Sequence, residues 1–143
     1  MPYRREGFFK GEFYHVFNRV SKGNVLFHSN GDYLFFLRLI ESCLRVHPLR
    51  IVCYCLMPNH FHFLLSPLID GSVSGFISLL LNTYVKSIQK KYGETGRLFP
   101  NRFKHVHVEN DAQLIHLMRY IHLNPLKTGF VLHPSEWPYS NYW

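Results

Sequence analysis

The chain has 143 residues, 47% of them hydrophobic and 17% aromatic. That excludes a disordered polypeptide and fits a single domain over 1–143 with a real core. Sixteen Lys and Arg against nine Asp and Glu give a formal charge of +7, which points to a polyanionic partner, nucleic acid above all. No apolar run approaches the ~20 residues that cross a bilayer, and the N-terminus lacks the core of a secretion signal.

Residues 1–11, with Arg4, Arg5, Gly7, Lys10 and Gly11, read as an irregular basic lead-in. Phe13-Tyr14-His15-Val16-Phe17-Asn18-Arg19 is rich in strand formers and predicts the first strand, with Phe13, His15, Phe17 and Arg19 on one face. His15 is a candidate extra site residue there, with a structural histidine as the preferred reading. Asn30 is placed to cap a helix over 32–46, whose apolar positions include Leu34, Leu37, Ile40 and Leu44, and Pro48 ends it. Residues 50–56 form a second strand with Cys53 and Cys55 on one face. Cys43 makes the cysteine count odd, and zinc-finger spacing is absent, so a reduced, cytoplasmic protein without membrane contact is expected.

Met57-Pro58-Asn59 leads directly into His60-Phe61-His62-Phe63-Leu64-Leu65. So short a link predicts an antiparallel hairpin. On a strand His60, His62 and Leu64 share one face, while Phe61, Phe63 and Leu65 share the other. Two imidazoles so placed can converge on one metal ion, with the phenylalanines anchored in a core. Pro67 closes the strand. A second helix over 73–92 carries the apolar stripe Val73, Phe76, Ile77, Leu80, Tyr84 and Ile88, and a basic end with Lys86, Lys90 and Lys91. A strand over 103–108 follows. A third helix, capped by Asn110 or Asp111, has the stripe Leu114, Leu117, Met118 and Ile121 and is expected to stop at Pro125. The aromatic tail from Trp137 to Trp143 should pack on the domain.

Tyr120 and Asn124 are four residues apart and share a helical face beside that stripe. Spacing alone leaves Tyr120 as a packing aromatic and Asn124 as a helix cap. Rivals exist within the chain: His105 and His107 repeat the histidine pair, and Tyr84 lies among lysines. Tyr84 sits inside an apolar stripe and is read as core, and the second pair lacks the hairpin.

Four segments in order carry a family resemblance: Tyr14-His15-Val16 with Asn18-Arg19, Met57-Pro58-Asn59-His60-Phe61-His62, Tyr120-Ile121-His122-Leu123-Asn124-Pro125, and Trp137-Pro138-Tyr139-Ser140. The chain resembles the single-tyrosine HUH transposases of small bacterial insertion sequences and their relatives associated with repetitive extragenic palindromes. The resemblance covers nearly the whole chain. It implies an α+β fold, a central antiparallel sheet of about four strands with helices packed against it, ferredoxin-like in order. It also implies that His60, His62 and Asn124 hold a divalent metal, Mg²⁺ or Mn²⁺, and that Tyr120 is the nucleophile. Asparagine at the third ligand position resembles the palindrome-associated branch.

That assignment makes chemical sense of the residue types. A free phenol titrates near about pH 10 and is a weak nucleophile, so it needs a phosphate polarised by metal. Attack leaves a 5′-phosphotyrosine and a free 3′-hydroxyl, and the bond energy retained permits rejoining. The expected substrate is single-stranded or hairpin DNA, with bases stacked on aromatic rings and cations on phosphates. Arg19, Lys86, Lys90, Lys91, Arg102 and Lys104 are candidate DNA contacts. Insertion-sequence relatives work as dimers and palindrome-associated ones as monomers, so a homodimer is one of two expected states. The competing expectation is a non-catalytic DNA- or RNA-binding regulator derived from such an enzyme.

Overall fold

The computed structural model describes residues 7–142. The basic lead-in at Arg4 and Arg5 and the terminal Trp143 lie outside the described residues. The elements in chain order are β1 (Phe13–Arg19), α1 (Asn30–Val46), β2 (Leu49–Met57), β3 (His60–Pro67), α2 (Ser72–Tyr92), β4 (Lys104–Val108) and α3 (Asp111–Lys127), followed by a 3₁₀ turn at Pro134–Glu136. The sheet runs β2-β3-β1-β4, and every neighbouring pair is antiparallel. This is the order of two interleaved split β-α-β units, the ferredoxin-like arrangement expected from the sequence.

Alternation along the strands separates two faces. Phe61, Phe63 and Leu65 of β3, with Tyr14 and Val16 of β1, pack against α1 and α2 in the main core. The opposite face carries Cys53, Cys55, Met57, Leu64 and Val108, which meet Ile121 and the partly buried Leu114, Leu117 and Met118 of α3. The stripe expected on α2 is buried along its whole length. Its Tyr84 donates a 2.6 Å hydrogen bond from its hydroxyl to the Leu26 carbonyl, inside the core. Tyr84→Phe strands that buried acceptor and is expected to cost about 1–3 kcal/mol in urea unfolding, without touching the site on the other face.

The sequence reading needs four corrections here. Ser29, not Asn30, caps α1, accepting from the Asp32 N–H; Asn30 Oδ1 instead accepts the Tyr139 hydroxyl at 2.6 Å. The buried stripe of α1 is Tyr33, Phe36, Ile40 and Cys43, and Leu34 is 40% exposed. That helix is apolar on more than one side, so periodicity took in Ile40, with Leu37 and Leu44 partly buried against the core, but placed the stripe's centre too far round towards Leu34. β4 starts at Lys104, one residue later than expected. Finally, α3 runs through Pro125 to Lys127. The proline deprives the Ile121 carbonyl of its usual N–H partner, but the next turn holds. Thr128 donates from both its N–H and its hydroxyl to the Asn124 carbonyl, each at 3.1 Å. Asn124 therefore sits within the helix and is not its cap.

The tail packs as expected and covers the β2 edge. Leu56 N–H donates to the Tyr139 carbonyl, Asn141 accepts from Tyr54 N–H and donates to the Val52 carbonyl, and Trp137 Nε1 donates to the Leu56 carbonyl. Tyr139 stacks on Tyr33 at 3.6 Å. An edge so paired cannot recruit another strand.

Candidate metal and nucleophile site

The site grows from the tip of the β2–β3 hairpin. Pro58 and Asn59 make a two-residue turn between paired Met57 and His60. The β1–α1 loop clamps that turn: Val20 N–H donates to the Asn59 carbonyl at 3.0 Å, and Leu26 N–H to the Pro58 carbonyl at 2.7 Å. β3 is buried throughout, and its fully buried Phe61 and Phe63 fix which way the alternate side chains point. His60 and His62 emerge on the α3 side, each 6% exposed, with rings 5.1 Å apart and nearly perpendicular.

α3 brings Asn124 to both. His60 Nε2 lies 3.3 Å from Asn124 Oδ1, and His62 Nε2 lies 3.5 Å from Asn124 Nδ2. The far nitrogens are also engaged. His60 Nδ1 is 2.7 Å from Asn59 Oδ1, which can only accept, so the His60 proton belongs on Nδ1. The lone pair of Nε2 then faces Asn124 Oδ1, a pair of atoms that could share a cation. The 3.3 Å between His60 Nε2 and Asn124 Oδ1 suits two donors that each lie about 2.1 Å from a shared ion, whereas the Asn124 atom within reach of His62 Nε2 is the nitrogen Nδ2, which is no metal donor. Among the described residues no three His, Cys, Asp or Glu side chains gather to hold a metal; the third candidate here is an amide.

Both candidate ligand histidines are held neutral by burial. Burial lowers His60 to about 4, helped by the Arg19 charge, with the Asn124 contact opposing. Burial lowers His62 to about 3, with His60, His15 and Arg19 adding to the effect. At neutral pH both rings are uncharged.

Tyr120, one turn before Asn124, is half-buried and sets its ring edge-on to His62 at 5.7 Å. Nucleophile candidate and ligand set thus meet within one chain. The structure also brings in three residues that the sequence reading passed over or demoted. His15 lies 3.0 Å from His62 Nδ1 and edge-on to Tyr120 at 6.2 Å. Asn59 orients His60. Lys127 holds its ammonium 5.0 Å above the Tyr120 ring. Period-two spacing already put His15 on the face of Arg19, but only strand register could show which strand that face adjoins. Lys127 was legible as i+7 from Tyr120, given a helix that continues past Pro125.

The remaining candidates divide by face. Arg19 pairs across from His60, and Lys104 pairs across from Phe17, so both lie on the site's face. His105 and His107 pair with Val16 and Tyr14 and point to the opposite face; His107 meets Glu12 at 3.2 Å, and His105 packs on Phe8. That pair cannot join His60 and His62. Arg102 borders an open 880 Å³ cleft on that far side with Phe8, Phe103 and Ser74. Lys86, Lys90 and Lys91 lie on α2, on the layer away from the site. Lys91 binds Asp32 at 2.8 Å. Burial would raise the Asp32 carboxyl, but hydrogen bonds from Lys91, Tyr92 and the His28 N–H outweigh it and hold the group below its ordinary value.

A four-stranded antiparallel sheet presenting two histidines, faced by one helix presenting an amide and a tyrosine, defines an α+β domain with a candidate metal and nucleophile centre. The chain belongs to the IS200-like transposase family, whose description, Transposase IS200 like, matches residues 10–124. It is 29% identical over 107 residues to a Haemophilus influenzae protein assigned as a REP-associated tyrosine transposase. The match takes in 67% of this chain, and the chain spans about 60% of the length of that curated relative. In fold it is similar to a REP-associated tyrosine transposase solved bound to a REP hairpin, with a TM-score of 0.81 and 22% identity over 99% of this chain and 83% of that one. It is also similar to a Deinococcus radiodurans protein assigned as a transposase, with a TM-score of 0.53 and 16% identity over 85% and 95% of the two chains. Among the described residues no helix is long and apolar enough to cross a membrane.

Proposed function

We propose that this chain is a metal-dependent single-stranded DNA endonuclease and strand transferase acting at hairpin-flanked DNA. The observation that carries the reading is the meeting, within one chain, of Tyr120 with two imidazole Nε2 atoms and the Asn124 amide. His60, His62 and Asn124 would hold Mg²⁺ or Mn²⁺; two imidazoles and an amide favour Mn²⁺ on ligand softness. A divalent ion held by these residues would polarise the scissile phosphate and offset the charge that develops on it.

Tyr120 is the nucleophile. Its phenolic oxygen bonds to phosphorus as the bond from phosphorus to the 3′-oxygen breaks. The phenolic proton passes to water, and the departing 3′-oxygen takes one up, so the exchange is proton-neutral. The product is a 5′-phosphotyrosine and a 3′-hydroxyl, and attack by another 3′-hydroxyl reverses the step on a new strand. Arg19, exposed beside His60, and Lys127, above the Tyr120 ring, supply positive charge where phosphate must enter. The solved neighbour's REP hairpin supports hairpin DNA as the partner. Because one chain supplies every group named, a monomer suffices for the chemistry.

The test incubates the protein with hairpin-bearing single-stranded DNA and Mn²⁺ or Mg²⁺. A covalent DNA adduct mapped to Tyr120 by mass spectrometry, and lost with EDTA, is the expected result. Hairpin binding with cleavage that persists in EDTA sinks the metal role; binding without any adduct across a library of hairpin flanks favours the regulator.

The cations also separate by face. Arg19→Ala and Lys104→Ala are each expected to weaken DNA binding. Each should also flatten the slope of log K against log salt, by roughly 0.7 for every single-strand phosphate that the cation neutralises. Lys91→Ala, which frees the buried Asp32, is expected to lower thermal stability and leave that slope unchanged. Filter binding across a salt series, with melting curves alongside, reads both.

A further inference from the structure

We propose that His15 is a positioning residue for the metal centre: its Nε2 accepts the Nδ1 proton of His62, fixing the tautomer in which His62 Nε2 keeps a lone pair toward Asn124. The proposal rests on the metal reading above and adds a residue to it. Three observations carry it. The two nitrogens are 3.0 Å apart, so one of them bears the shared proton. His15 pairs with Leu64 and Phe17 pairs with His62, so His15 reaches His62 diagonally across the two strands, a contact the register holds in place. The two imidazoles meet edge to edge, with 21° between planes and centroids 5.3 Å apart, and Phe17 stacks on His15 at 4.6 Å. His15 is itself 6% exposed, so it cannot readily turn to water.

The consequence follows from the two-nitrogen chemistry of imidazole. A neutral ring has one proton to place. With His15 as acceptor, the His62 proton sits on Nδ1 and Nε2 is left as a donor. Without that acceptor a buried Nδ1–H would have no partner, and the proton would be better placed on Nε2, which Asn124 can meet once its side-chain amide turns over to present Oδ1 in place of Nδ2. Nε2 would then be blocked. Asn59 performs the matching service for His60 at 2.7 Å, so both ligands are aimed by an acceptor on the side away from the metal. Such outer partners typically contribute about 10–100-fold to metal affinity.

Two measurements test this. In the metal-free wild-type protein at neutral pH, long-range ¹H–¹⁵N correlation is expected to show His62 protonated at Nδ1; protonation at Nε2 overturns the proposal. Mn²⁺ affinity, followed by electron paramagnetic resonance of free ion, is expected to fall about 10–100-fold in His15→Phe, which keeps a ring but loses the acceptor, and to recover in His15→Gln. Equal affinity of His15→Phe and wild type overturns the proposal while leaving the metal site standing. If instead wild type and His62→Ala bind Mn²⁺ equally weakly, the metal reading itself fails, and the role of His15 with it. Should His15→Phe fail to fold by circular dichroism, the tautomer of the wild-type protein decides.

Discussion

Tyr120→Phe is expected to reduce DNA strand cleavage by at least about a thousandfold, the scale seen when a nucleophile is removed. Hairpin binding should stay within about twofold, since the hydroxyl is the sole group removed. The ring is kept, so the edge-on contact with His62 and the Lys127 ammonium above it both survive. Only the attacking oxygen is gone. Denaturing gels with labelled DNA read the loss of adduct, and filter binding reads the affinity. The other tyrosine raised by the sequence cannot substitute. Tyr84 is fully buried, its hydroxyl is committed to the Leu26 carbonyl, and burial pushes its phenol upward. It also lies under α1, on the opposite side of the sheet. Cleavage surviving in Tyr120→Phe would remove the nucleophile assignment.

Acid is expected to unfold the metal-free protein early. His15, His60 and His62 are all buried, and burial brings them to about 4, about 4 and about 3, against about 6.5 for an exposed imidazole. The folded state therefore resists protons that the unfolded chain accepts. Stability is fully present above about pH 6.5 and falls as pH drops through the window from about 6.5 to 4 for His15 and His60, and to about 3 for His62, by up to about 1.4 kcal/mol per pH unit for each histidine. Three such groups make this a large share of a typical ~5–15 kcal/mol total. The Arg19 charge opposes protonation of His60 and His62 further; no carboxylate forms an ion pair with these three rings among the described residues. Urea unfolding at a series of pH values checks it. A free energy flat between pH 7 and 4.5 would mean that the histidines are not held neutral by the fold. His60→Gln, His62→Gln and His15→Gln should each flatten the curve by about a third.

The residue types and their local spacing carried much of this. Alternation along 60–65 was enough to put both histidines on one face and the phenylalanines on the other, because a strand allows no other arrangement. The brevity of the Pro58-Asn59 link forced a hairpin. The α2 stripe was legible because Ser74, Ser78, Asn82, Lys86 and Lys90, four residues apart, mark one exposed polar side. Where a segment is apolar on several sides the same reasoning failed, and α1 buried Tyr33, Phe36, Ile40 and Cys43 while leaving Leu34 exposed. Pro125 misled because its local cost is real, yet the Thr128 bonds and the packing of Ile121 carry the helix through it.

By itself, then, the sequence determined the strands, the helix that holds Tyr120 and Asn124 on one face, and the family they belong to. Only the tertiary structure decided which elements meet. Strand order β2-β3-β1-β4 set His15 beside His62 and turned the second histidine pair away. The packing of α3 on the histidine face then brought an amide from 62 residues along the chain to within 3.5 Å of His62. Such contacts depend on register and on which sheet face a helix covers. Those are fixed by the sum of burial over the whole core, so no local pattern around His15 or Asn124 contains them.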